Sequence, residues 1–95
     1  MTKQVIGVMV GHTTKIQCNI DSYPAVDAFT WSFNNSKEDK HVRKEDYTFN
    51  GTTSTLRYNA KSDHDFGHLF CWAANSKGMM PEPCVFQIIP AGKCL

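Results

Sequence analysis

The chain has no run of apolar residues approaching the roughly 18 that cross a bilayer as a helix, and no excess of either charge, since ten Lys and Arg stand against nine Asp and Glu. The first absence removes a membrane-spanning helix from the sequence. The stretch Val5-Ile6-Gly7-Val8-Met9-Val10 is too short and too weakly flanked to serve as a signal peptide. The second absence removes the long-range field that gathers nucleic acid or an anionic membrane, and the basic residues are scattered rather than striped. Also missing are an internal repeat, a low-complexity segment, helical periodicity, a Ser/His/Asp elbow, a phosphate-binding glycine loop and paired carboxylates in apolar surroundings. These absences read as no enzyme, no cofactor and no metal. At 95 residues there is material for one core. Such a chain buries roughly 60–70% of its unfolded surface and folds with little stability to spare. It reads as a soluble piece; if it is secreted, its targeting and anchoring segments are expected outside these residues.

What is present is alternation. Runs of Val, Ile, Thr, Phe and Tyr are broken at short intervals by Gly, Pro, Asn or Asp, the rhythm of a β-sandwich or barrel. Residues 4–10 read as a first strand closed by Gly11-His12, and Thr14, Ile16, Cys18 and Ile20 share one face of a second. Asp21 to Ala25 is a turn, because Pro24 biases Tyr23 away from helix. Phe29, Trp31 and Phe33 give a third strand with an apolar inner face. Residues 34–47, with eight charged residues, read as loop or short edge strands. Leu56 and Tyr58 point one way in a strand over 54–60; Leu69, Cys71 and Ala73 do so over 68–74. After Gly78, Pro81 and Pro83, residues 84–89 form the last strand.

Cys18, Trp31 and Cys71 have the order and spacing of the core of an immunoglobulin domain, in which a disulfide between two sheets packs on a buried Trp. Asp65-Phe66-Gly67-His68-Leu69-Phe70-Cys71 and Cys71-x-Ala73-x-Asn75-x-x-Gly78 resemble the approach to, and the hairpin after, the second cysteine in I-set domains. The resemblance implies an all-β, two-sheet Greek-key sandwich of I-set or C2-like kind over residues 1–92, with 93–95 opening a linker or ending the piece. It also implies a Cys18–Cys71 disulfide and a core around Trp31, Leu56, Tyr58 and Leu69. Closing a loop of about 53 residues, that bridge contributes roughly 4 kcal/mol by chain-entropy reasoning. A reduced pair, as in muscle-type cytosolic immunoglobulin domains, is the competing reading. One element departs: the corner Tyr expected two residues before the second cysteine is Leu69, so another contact must hold that corner.

Less generic stretches, Trp31-Ser32-Phe33-Asn34-Asn35-Ser36, Gly51 to Tyr58, Leu69 to Gly78 and Pro83 to Gly92, resemble a repeat of Sidestep-type invertebrate neuronal surface proteins. That likeness implies one repeat of a longer, membrane-anchored, extracellular protein of several such repeats plus a fibronectin-like segment. It further implies a guidance ligand for Beaten-path-type immunoglobulin-superfamily receptors. Cys94 stands where that pattern has a linker residue.

With Leu69, Cys71 and Ala73 inward, His68, Phe70 and Trp72 face outward, and Val85, Gln87 and Ile89 do so beside them on the last strand. Met79 and Met80 add an adaptable apolar lip. This face is the candidate partner-binding surface. Cover by a neighbouring repeat or loop is the alternative, and with it a spacer role. Asn34 and Asn50 begin N-glycosylation sequons. Both fall in or beside the charged 34–52 region, which is expected to set a glycan-bearing side apart from a bare binding side. Cys84 and Cys94 can meet only if Pro90-Ala91-Gly92 reverses the chain sharply. Otherwise Cys84 is a buried thiol or bonds outside the sequence, and Cys94 is exposed and reactive. His64 and His68 stand at a helical metal-ligand spacing in a segment that crosses from turn to strand, which reads as two solvated histidines.

Overall fold

The computed structural model describes residues 3–22 and 24–91. Among the described residues nine strands alternate with turns: β1 (Lys3–Val8), β2 (Thr13–Asn19), β3 (Ala28–Asn34), β4 (Asp39–His41), β5 (Tyr47–Asn50), β6 (Thr53–Asn59), β7 (Gly67–Asn75), β8 (Gly78–Met79) and β9 (Cys84–Pro90). Short 3₁₀ turns occupy Lys44–Asp46 and Asp63–Asp65. Among the described residues no helix is long and apolar enough to cross a membrane. One sheet runs β1-β9-β7-β3-β4, with β8 paired to β7; the other runs β2-β6-β5. β1 lies parallel to β9, and the other pairings are antiparallel. This is the two-sheet, all-β sandwich that the immunoglobulin resemblance implies, where the alternation alone leaves sandwich or barrel open.

Several boundaries differ from the sequence reading. β1 ends at Val8 instead of running to residue 10. There the Gly11 N–H donates to the Ala60 carbonyl (2.8 Å) and the His12 N–H to the Met9 carbonyl (3.1 Å), and Gly11 takes a φ of +86° that suits glycine. Residues 34–47 contain both a three-residue edge strand and a 3₁₀ turn. β4 is fully exposed and charged, a composition that discourages pairing with another chain's edge.

Period-two alternation fills the space between the sheets with Ile16 and Cys18 from β2, Phe29, Trp31 and Phe33 from β3, Leu56 from β6, Leu69, Cys71 and Ala73 from β7, and Phe86 and Ile88 from β9. Cys18 and Cys71 are joined across the sheets, their Cα atoms 6.5 Å apart. The Trp31 ring stacks near Phe86 at 5.6 Å between centroids. Trp31 is wholly buried, so its indole N–H needs a partner. It donates to the Ser54 hydroxyl at 2.9 Å, and Ser54 donates in turn to the Thr48 carbonyl at 2.9 Å. Ser54 is as buried as Trp31, although a serine at a core phase carries no apolar signal in the sequence.

The corner before β7 is held from β6. Leu69 is fully buried and has no hydroxyl to offer, whereas Tyr58 is half-buried, with its O–H donating to the Asp65 carbonyl at 2.6 Å. Ser62 and Asp65 form a capping box around the same turn, and the Lys61 N–H donates to Asp65 Oδ2 at 2.6 Å. Gly67 follows because the chain passes so close to β3 that a Cβ there would sit 2.5 Å from the Asn34 carbonyl oxygen.

Candidate protein-binding face

The outer face of the larger sheet is a ladder of cross-strand rows. One row runs Lys3, Val85, Phe70, Ser32, His41; the next runs Val5, Gln87, His68, Asn34, Asp39. Trp72 stands opposite Thr30, Met79 opposite Ala74, and Ile89 opposite Gly7. The face therefore grades from apolar over β1, β9 and β7 to polar over β3 and β4. Phe70, Trp72, Val85 and Gln87 are half-buried, while Ile89 is 36% and Met79 57% exposed. His68 stacks on Phe70 at 6.4 Å between centroids. A shallow depression of about 410 Å³ lies between Ser32, Asn34, Asp39, Phe70, Trp72 and Pro83.

Phe70 and Trp72 point outward and are half-buried. Two expectations are corrected by this geometry. Met80 is half-buried against the core instead of forming an exposed lip: its N–H donates to the Ala73 carbonyl at 2.9 Å, its Sδ accepts from the Ala73 N–H at 3.2 Å, and its side chain packs on the core cluster. Asn34 lies on the aromatic face itself, in register with His68. The turn that follows is charged, but strand phase rather than the character of the neighbouring loop decides where Asn34 points. Asn50, by contrast, is exposed beside the Gly51 turn of the β5–β6 hairpin, in the other sheet.

One apolar residue of the face escaped the sequence reading. Val5 is 57% exposed and stands opposite Gln87. Its phase, odd against the inward Ile6 and Val8, was available, but only the pairing of β1 with β9 places it beside this patch. Cys84 faces inward in half-buried register with Cys71, and burial pushes its thiol above the ordinary value. Cys94 lies outside the described residues. His64 is exposed in a turn while His68 is on the sheet face, and among the described residues no group of three or more His, Cys, Asp or Glu is placed to hold a metal ion.

Comparison with known proteins follows the same lines. The chain is 31% identical over 77 residues to Protein amalgam of Drosophila melanogaster, a match covering 77% of this chain and 23% of that protein. The chain thus spans less than a quarter of that relative's length. Among solved structures, a titin tandem of immunoglobulin domains superposes with a TM-score of 0.67 at 21% identity, covering 95% of this chain and 44% of the tandem. The extracellular domain of the voltage-gated sodium channel beta4 subunit, described as forming parallel homodimers that explain a role in cell-cell adhesion, superposes at 0.62 with 15% identity, covering 95% and 93%. Residues 1–75 match the Immunoglobulin domain family. With its sandwich topology, its inter-sheet disulfide against a buried tryptophan and this match over most of its length, the chain belongs to the immunoglobulin domain family.

Proposed function

We propose that residues 1–92 form an extracellular immunoglobulin domain of I-set kind, part of a larger cell-surface adhesion or guidance protein, and that it recognises another immunoglobulin-superfamily protein with the outer face of its larger sheet. The parallel pairing of β1 with β9 and the short β4 edge support the I-set assignment. The observation that carries the binding role is the set of apolar side chains Val5, Val85, Phe70, Trp72, Met79 and Ile89, interrupted by Gln87 and His68, on a face that no other element covers among the described residues. A protein contact is the usual meaning of such a set. Near-neutral charge fits recognition by shape and apolar burial rather than by electrostatic steering. A Beaten-path-type receptor is the partner that the Sidestep-like stretches indicate.

The test is a binding screen of the unglycosylated chain against a panel of immunoglobulin-superfamily ectodomains, Beaten-path-type receptors included, followed by Val85→Glu on any pair found. The expected result is a loss of roughly 10-fold or more in affinity with an unchanged fold, since a charged side chain replaces an apolar contact at the centre of the face. Full affinity in Val85→Glu would contradict the reading.

The half-burial of Phe70 and Trp72 favours a second reading, in which the face needs no partner and the domain is a spacer between binding repeats. Under it no substitution on this face changes binding by the parent protein.

A further inference from the structure

Asn34 ends β3 and Asn35 follows it, and the structure gives these adjacent asparagines different tasks. Asn35 builds the following turn: its Oδ1 accepts from the Lys37 and Glu38 N–H groups, both at 2.8 Å, and its Nδ2 donates to the His64 carbonyl at 2.8 Å. The Asn34 side chain makes no hydrogen bond among the described residues and borders the depression that Phe70, Trp72 and Pro83 wall. Asn34 is the acceptor position of the sequon Asn34-Asn35-Ser36, and Ser36 is exposed in the turn. Along β7, Phe70 is two residues and Trp72 four residues from the register of Asn34, about 7 and 13 Å at the rise of a strand. A sugar chain leaving Asn34 over the sheet thus meets first one aromatic side chain and then the other. The apolar C–H faces of N-acetylglucosamine suit aromatic side chains, and its hydroxyl and acetamido groups suit the Ser32 and Asp39 rim.

We propose that Asn34 carries an N-glycan whose first sugars lie on Phe70 and Trp72, so that occupancy at Asn34 governs access to the aromatic half of the outer face. The glycosylated form then presents only the Val5, Ile89 and Met79 margins, and the unglycosylated form presents the whole strip. This rests on the extracellular reading above, and Asn50 keeps the two separable: its sequon sits exposed at a hairpin in the other sheet and reports passage through the secretory pathway whatever happens at Asn34.

The experiment uses the chain secreted from insect cells, beside Ser36→Ala, which removes the sequon and keeps Asn34. Glycopeptide mass spectrometry gives occupancy at each site. Tryptophan emission reports the contact, because Trp31 is fully buried and Trp72 is the other of the two tryptophans in the chain. The expected results are an occupied Asn34, blue-shifted emission in the glycosylated form relative to Ser36→Ala, and a melting temperature higher by roughly 4 °C. Bare Asn34 with occupied Asn50 would overturn the proposal and leave the extracellular reading intact; both sites bare in secreted protein would also overturn it. An occupied Asn34 with emission and melting identical to Ser36→Ala would overturn the packing of sugar on the aromatic face.

Discussion

Ser54 shows how much of a small core rests on one hydroxyl. It accepts from the Trp31 indole and donates to the Thr48 carbonyl, joining the tryptophan of one sheet to the β5–β6 hairpin of the other. Ser54→Ala leaves the buried Trp31 N–H without a partner, which costs about 1–3 kcal/mol. In urea the transition midpoint of this variant falls while its slope is unchanged. Tyr58 makes the corresponding contact at the corner. Tyr58→Phe removes the bond to the Asp65 carbonyl and lowers stability at pH 7 by about 1 kcal/mol. Burial, and then the Asp65 and Glu38 carboxylates, hold the Tyr58 hydroxyl well above the ordinary phenol value. The unfolded chain therefore releases this proton at a lower pH than the folded one. Stability is complete below about pH 10 and declines as pH rises through the tyrosine range. Urea titrations at successive alkaline pH values are expected to show a shallower decline in Tyr58→Phe than in the wild type.

At the scale of strands, the phase of each apolar run was legible in the sequence, and the neighbours of each strand were not. Phe29, Trp31 and Phe33 declare their inner face because alternation with polar residues is strong there. The Tyr58 contact was foreshadowed only as a vacancy, by Leu69 standing where a corner tyrosine is usual. The place of Val5 on the face depends on β9, some 80 positions away, and no local pattern carries it. The charge of the loop after Asn34 points to the opposite side from the one its strand phase dictates. A methionine pair after a glycine has no period of its own, so nothing local turns Met80 toward the core. The close passage of β7 by β3 was also invisible, and it yields a prediction. Gly67→Ala puts a Cβ against the Asn34 carbonyl, and backbone rather than a flexible side chain must yield. A loss of about 1–3 kcal/mol is expected, with faster hydrogen exchange at the Asn34–His68 end of the pairing.

For the whole molecule, the two sheets divide the tasks. The smaller sheet turns polar side chains outward: Lys15 faces Arg57, and Gln17 faces Thr55. The larger sheet turns out an apolar strip that grades into polar rows at β3 and β4. The disulfide and the Trp31–Ser54 link hold these faces back to back, so a charge introduced on either outer face leaves the core untouched. The most direct measurement is a paired comparison, in unglycosylated protein, of Trp72→Glu on the larger sheet with Lys15→Glu on the smaller one, recording partner affinity and melting temperature for each. The account predicts that Trp72→Glu weakens binding by roughly 30-fold or more with melting within a few degrees of wild type, and that Lys15→Glu changes neither. Equal binding by wild type and Trp72→Glu would contradict it.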